Sequence, residues 1–232
     1  MFPETALDPN RLAARVHALR PDYVARLARL VESPSISAHA ERKGDIRKTA
    51  EIAAELVREA GGTAEILPTS GHPVVVGRLG EDPAHATLAI YNHLDVQPAA
   101  EGKDGWTRAP FVFAEDGERF YGRGATDDKG PALTALFAVR LAREEGIPLN
   151  VRFLWELEEE IGSPHFVEFL GKRGEAVKPD SVLVSDTIWL AAGKPAVPHG
   201  LRGLATAMLR LETAAKDAHS GLTGGAARNP IA

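Results

Sequence analysis

The sequence predicts an α/β fold: a mostly parallel sheet with helices on both faces, followed by the start of a smaller α+β unit. Three observations carry this expectation. Short apolar runs rich in β-branched residues recur along the chain, as in strands buried on both faces. Stretches with apolar residues three and four apart alternate with them, which is the pattern of helices covering a sheet. Near residue 192 both patterns give way to proline, glycine and polar alternation.

The elements follow in order. Val16, Leu19, Val24, Leu27, Leu30 and Val31 form an apolar stripe of helical spacing, with Pro21 expected to break that helix or to start a new one. A second helix begins near Asp45, taken as an N-cap or first-turn acid, and sets Ile46, Ala50, Ala53, Val57 and Ala60 on one face. It stops at Gly61-Gly62. Residues 74–76, 87–91, 151–155 and 182–184 then read as buried strands. Between them, Pro131 to Glu145 carries Leu133, Leu136, Phe137, Val139 and Leu141, a helix ended by Gly146 and Pro148. Residues 164–170 read as a shorter helix. Lys194 to Gly203 holds two prolines and two glycines, and Leu204 to Leu211 alternates like a strand with one solvated face. The expected division is residues 1–192 as one domain and 193–232 as the beginning of a second, in a chain expected to be C-terminally truncated.

Composition excludes several functions. The chain has 232 residues, 44% of them hydrophobic and 25% charged, so it can bury a core as a disordered chain cannot. Its 27 Lys and Arg against 32 Asp and Glu give a net charge of −5, with no excess of basic residues for nucleic acid. The absence of cysteine removes disulfide scaffolds, thiolate zinc sites and cysteine nucleophiles. No apolar run approaches the roughly 20 residues of a membrane span. MFPETALDPNRL lacks the basic start and apolar stretch of a signal peptide. A cytoplasmic protein with neither nucleic-acid nor membrane partner is expected.

Chemistry-bearing residues stand where strands end. Residues 87–91 run into Asn92-His93-Leu94-Asp95. Residues 151–155 lead to Glu158-Glu159-Glu160, and 182–184 to Ser185-Asp186. The loop Gly122 to Gly130 delivers Asp127 and Asp128 to the long helix. Taken singly, each reads as a cap, a turn former or a hydrogen-bonded structural residue. Gathered at one sheet edge, they would bury uncompensated charge, which costs several kcal/mol per group unless cations neutralise it. Lys129 and Arg123 are too few, whereas one or two divalent ions suffice. A mixed imidazole and carboxylate shell suits zinc, with cobalt or manganese as substitutes. His93 and Asp95 point to one side if extended, or Asp95 holds the imidazole if the chain bends. Glu159 and Glu160, being adjacent, divide the work of metal ligand and general base.

NHLDVQP at 92–98, GRGATDDKGP at 123–131, EEEIGS at 158–163 and SD at 185–186 together resemble the dinuclear zinc hydrolases of metallopeptidase family twenty (clan MH). Carboxypeptidase G, carnosinase-like dipeptidases, acetylornithine deacetylase and succinyl-diaminopimelate desuccinylase belong to it. HLDVQP with DGW at 104–106, and HSG followed by GG at 219–225, resemble its dipeptidase branch. The resemblance implies a phosphorylase/hydrolase-like zinc peptidase domain followed by a lid through which the protein dimerises. His93 would bind the first metal, Asp127 would bridge two, Asp186 would complete the first and Glu160 would bind the second. Glu159 would be the general base, Asp95 would orient His93, and the Asp127-Asp128 peptide bond would be cis. His219 would reach a neighbouring subunit's site and stabilise the oxyanion. The implied reaction is hydrolysis of the amide bond of dipeptides or N-acylated amino acids. Two other readings remain at this point. One is an inactive fragment that at most binds metal. The other, a magnesium phosphohydrolase, is disfavoured by His93, by Glu159-Glu160 and by the lack of a glycine-rich phosphate loop.

Overall fold

Helix α1 (Pro9–Val31) starts where the Asp8 carboxylate accepts from the Asn10 N–H at 2.9 Å, with Pro9 in its first turn. It runs through Pro21, contrary to the expected break. Contacts on both sides of the proline explain its survival. Leu19 and Tyr23 on either side of it pack against the core cluster that holds Leu27 and Leu30, and Asp22 binds both Arg26 and Arg140, so tertiary packing offsets the missing N–H. Helix α2 (Lys43–Glu59) has Asp45 in its first turn and ends before Gly61, which adopts the left-handed φ of 83°. The computed structural model describes residues 8–187, 191, 193–198, 200, 202–205 and 207–211.

Strands β1 (Thr63–Leu67), β2 (Val74–Leu79) and β3 (Ala86–His93) follow. A small hairpin comes next, β4 (Ala114–Asp116) with β5 (Arg119–Tyr121), then helix α3 (Lys129–Glu144) and strand β6 (Leu149–Glu156). A 3₁₀ turn at Glu159–Ile161, helix α4 (Phe166–Val177) and strand β7 (Ser181–Val184) complete the order. The main sheet has the order β1-β2-β6-β3-β7. The pairings β6–β3 and β3–β7 are parallel, whereas β1–β2 and β2–β6 are antiparallel. The α/β fold is as expected, but the sheet is mixed and not mostly parallel, and β7, expected to be buried, is an exposed edge strand paired on one side by β3 among the described residues. β1 escapes the apolar-run pattern because this edge strand alternates between exposed and half-buried positions.

The two sheet faces are covered separately, as strand alternation requires. Val75, Ile90, Val151, Phe153 and Trp155 pack into one cluster with α1, α2 and α3. Their neighbours Val74, Val76, Ala89 and Leu154 pack on Phe169 and Val177 of α4. The chain divides into two units, Met1–Ile188 and Trp189–Ala232. In the second unit Ala191 and Lys194 form an isolated antiparallel bridge. The strand expected over Leu204 to Leu211 is not formed by the described residues there, because no neighbouring strand among them takes up its backbone groups.

Candidate metal centre

The parallel half of the sheet brings the acidic strand ends together. His93 lies opposite Glu156 in the β3–β6 register, and the Ser185 N–H donates to the Tyr91 carbonyl at 3.0 Å. His93, the Glu158–Glu160 turn and Asp186 therefore emerge at one edge, the carboxyl end where α/β sheets place ligands. The turn before α3 adds Asp127 and Asp128. It closes so tightly that a Cβ on Gly130 would fall 2.0 Å from the Ala125 carbonyl oxygen, which only glycine avoids. The Asp127-Asp128 peptide bond is cis, as the resemblance implies.

His93 is 1% exposed and sits at the centre. Its Nε2 lies 2.9 Å from Asp127 Oδ1, and 3.9 Å from both Glu159 Oε2 and Asp186 Oδ2. Its Nδ1 lies 3.1 Å from the Asp95 carbonyl and 3.4 Å from the Asp95 carboxylate. Both are acceptors, so Nδ1 keeps its proton and Nε2 is the nitrogen offered to the cluster. Burial opposes a charge on this ring, yet the hydrogen bonds to Asp127 and Asp95 outweigh it and push the pKa up to about 11. The hydrogen bond to His93 holds Asp127 low. Burial raises Asp186, with Asp127 adding and His93 opposing. Glu159 is raised by burial and by Glu160, Asp186 and Asp95, with His93 again opposing.

Ligand atoms of His93, Asp127 and Asp186 all lie within 4.8 Å of one another. One imidazole nitrogen and two carboxylates, with no Lys or Arg side chain of the described residues bonded among them, form a donor set that fits a divalent cation. Glu160 lies outside this trio. Gln97 Nε2 donates to its carbonyl and to its carboxylate, each at 2.9 Å. Asp95 also accepts from the N–H groups of Glu159 and Glu160, each at 3.1 Å, so it ties the imidazole to the acidic turn. His219 lies outside the described residues.

Several side chains of the same motifs support the cluster in ways the sequence alone does not assign. Asp128 is fully buried, and its Oδ2 accepts from Asn92 Nδ2 at 2.8 Å and from the His93 N–H at 3.1 Å. Burial pushes its pKa up to about 8. Asn92 also donates to the Ser185 carbonyl at 2.9 Å, joining the ends of β3 and β7. Glu158, at the head of the acidic triplet, is buried, accepts from the His72 N–H at 2.8 Å and pairs with His165 Nδ1 at 2.9 Å. Lys129 is fully buried and donates to the carbonyls of Leu30 at 2.9 Å and Ser33 at 2.7 Å.

The family profile described as Peptidase family M20/M25/M40 matches residues 89–215. Cys-Gly metallodipeptidase dug1 of Schizosaccharomyces pombe is 35% identical, over 96% of this chain and 50% of that protein. Human Beta-Ala-His dipeptidase is 40% identical, over 69% of this chain and 32% of that one. Among solved structures, the di-peptidase Dug1p of Saccharomyces cerevisiae superposes with a TM-score of 0.75 at 27% identity, covering 94% of this chain and 49% of that chain. Human carnosine dipeptidase 1 gives 0.69 at 31% identity, covering 76% and 41%. The chain thus spans half or less of the length of these relatives. The profile covers more than half of the sequence and includes His93, Asp127, Glu159, Glu160 and Asp186, so the chain belongs to peptidase family M20/M25/M40.

Proposed function

We propose that the protein hydrolyses the amide bond of dipeptides or N-acylated amino acids with the help of two divalent metal ions, zinc in preference to cobalt or manganese. The observation that carries this reading is the convergence of His93 Nε2, Asp127 and Asp186 within 4.8 Å, with Glu159 Oε2 3.9 Å from the same imidazole nitrogen. The names of the relatives, which act on Cys-Gly and on Beta-Ala-His, support small peptides as substrates. His93 and Asp186 would hold the first ion and Glu160 the second, with Asp127 available to both. When bound, such ions supply Lewis acidity, making water a nucleophile at neutral pH and polarising a carbonyl.

The chain's own residues do the rest. Glu159 accepts the proton of the attacking water and returns it to the leaving amine. The burial and neighbouring carboxylates that raise its pKa make it a better base than a free glutamate. Asp95 fixes the ring and tautomer of His93 while its carboxylate sets the backbone of Glu159 and Glu160. His219 supplies a donor to the oxyanion of a neighbouring subunit in a homodimer formed through the lid. In this reading residues 1–192 belong to the catalytic domain, 193–232 begin the lid, and the protein works in the cytoplasm. None of the described helices is long and apolar enough to cross a membrane.

Glu159→Gln tests the reading in the protein loaded with zinc. It should retain the metal and the fold while kcat for an unmodified dipeptide falls at least about 100-fold. An unchanged kcat would overturn the assignment of the base.

A further inference from the structure

The acidic turn is held by carboxylates at both of its ends. Asp95 accepts from the N–H groups of Glu159 and Glu160, each at 3.1 Å. At the head of the turn, the Glu158 side chain reaches the loop between β1 and β2. Its Oε1 accepts from the His72 N–H at 2.8 Å, and its Oε2 pairs at 2.9 Å with Nδ1 of His165, the residue before α4. Burial separates the three adjacent acids. Glu158 is 5% exposed with both oxygens bonded, whereas the Glu159 side chain is 41% exposed and faces His93.

The loop is shaped around this carboxylate. Thr69 Oγ1 donates to the His72 carbonyl at 2.6 Å and accepts from the Gly71 N–H at 2.9 Å. A Cβ on Gly71 would fall 2.0 Å from Glu158 Oε1 and 2.4 Å from His165 Nδ1, so the loop backbone lies directly on the charged group. From there the hydrogen bonds close a circuit. His72 Nε2 lies 3.2 Å from the Ser37 carbonyl, an acceptor, so this nitrogen donates. Ile36 forms a parallel bridge with Val96, and the Val96 N–H donates to the Ser35 carbonyl at 3.0 Å. Ser35 Oγ in turn donates to the Leu94 carbonyl at 2.6 Å. Asp95 stands between Leu94 and Val96 and returns the path to Glu159 and Glu160. The turn tilts only by breaking one of these partly or fully buried bonds.

We propose that Glu158 is a positioning residue for the reaction: its buried carboxylate, clamped between the His72 backbone and the His165 ring, fixes the turn that presents Glu159 and Glu160. The proposal rests on the reading of Glu159 as the base and Glu160 as a metal ligand. Glu158 acts through these two neighbours and is itself neither base nor ligand. Such placement matters because a misplacement of about 1 Å at a reacting group can cost about 100-fold in rate.

Amide hydrogen exchange in metal-free protein reads the hold on the turn without any turnover. Glu158→Ala should speed exchange at the Glu159 and Glu160 N–H groups at least about tenfold, the scale of one hydrogen bond to a charged group. The acceleration is measured relative to the slowest amides of β6, which report global opening, so general destabilisation does not produce it. Gly71→Ala sets a methyl against Glu158 Oε1 while leaving the three acids unchanged, and should act in the same direction. Glu158→Gln keeps an acceptor for the His72 N–H and should restore most of the protection. In zinc-loaded protein at matched metal content, Glu158→Ala should lower kcat for a dipeptide at least about tenfold with KM within about threefold, and Glu158→Gln should recover most of it. Turn amides that keep pace with those of β6 in folded Glu158→Ala or Gly71→Ala would overturn the proposal, as would an unchanged kcat in folded, zinc-loaded Glu158→Ala. Absence of dipeptide hydrolysis in the parent protein would count against the amide-hydrolase reading, and the exchange rates would still decide whether Glu158 holds the turn.

Discussion

His93 shows how the roles of single residues are set by what each atom faces. Its Nδ1 meets only acceptors from Asp95, and its Nε2 meets Asp127, Asp186 and Glu159. Removing Asp95 frees the ring and also the two N–H groups of the acidic turn. Asp95→Ala should therefore weaken divalent-metal affinity by about 10–100-fold, the usual effect of losing a group behind a metal-bound histidine, as measured by calorimetric titration. Unaltered affinity would show that Asp95 does not orient the ring. A second expectation concerns pH. Without metal the His93 pKa is pushed up to about 11, so at neutral pH the ring carries a proton that a metal must displace. Raised folded-state pKa values mean that protons are held as pH rises, and so affinity should increase with pH, by about tenfold per unit for each proton displaced. A flat affinity between pH 6 and 8 would contradict it. The ligand-type residues were legible in the sequence because several lay at strand ends in specific motifs. Asn92 and Asp128 were visible in the same motifs but their bond was not, since a buried amide–carboxylate contact between β3 and the α3 turn has no periodicity to betray it.

Elements were legible where one face is strongly apolar and illegible where packing overrides local preference. Helix α2 and strand β3 follow their patterns, but α1 continues through Pro21 because Leu19 and Tyr23 beside it pack against the core. The edge strand β1 and the hairpin β4–β5 are short and half exposed, so neither offers a continuous apolar run. Helix α3 is placed by a contact that lies far apart in sequence. Buried Lys129, in its first turn, reaches the carbonyls of Leu30 and Ser33 where α1 ends. Ser35 then hydrogen-bonds the Leu94 carbonyl at 2.6 Å, carrying this anchor to the segment that holds Asp95. Burial pushes the Lys129 pKa down to about 7, opposed by Asp95 and Asp45, so this amine is costly to keep. Lys129→Met removes two hydrogen bonds but also that cost, and should destabilise the fold by about 1.5–3 kcal/mol in urea unfolding. A variant as stable as the original would show that the apolar stem of Lys129, and not its amine, anchors α3.

At the scale of the whole molecule, a mixed sheet assigns different tasks to its two halves. The antiparallel strands β1 and β2 extend the core, and the parallel strands β6, β3 and β7 aim their carboxyl ends at one edge. Asp127 enters that edge from the α3 turn, opposite the strands that deliver His93 and Asp186, and this joining of separate parts of the fold makes the cluster. The motifs made the general location of the site readable, whereas the distances within it depend on strand register and on the tight turn at Gly130. The central claim is that these carboxylates and His93 form a centre for two metal ions with Asp127 common to both. Metal content after zinc loading and desalting, compared between the protein and its Asp127→Ala variant, tests this most directly. The account predicts about two zinc ions per chain in the parent protein, on the two-metal pattern of such hydrolases, and none retained in the variant. Full zinc occupancy in a folded Asp127→Ala protein would contradict it.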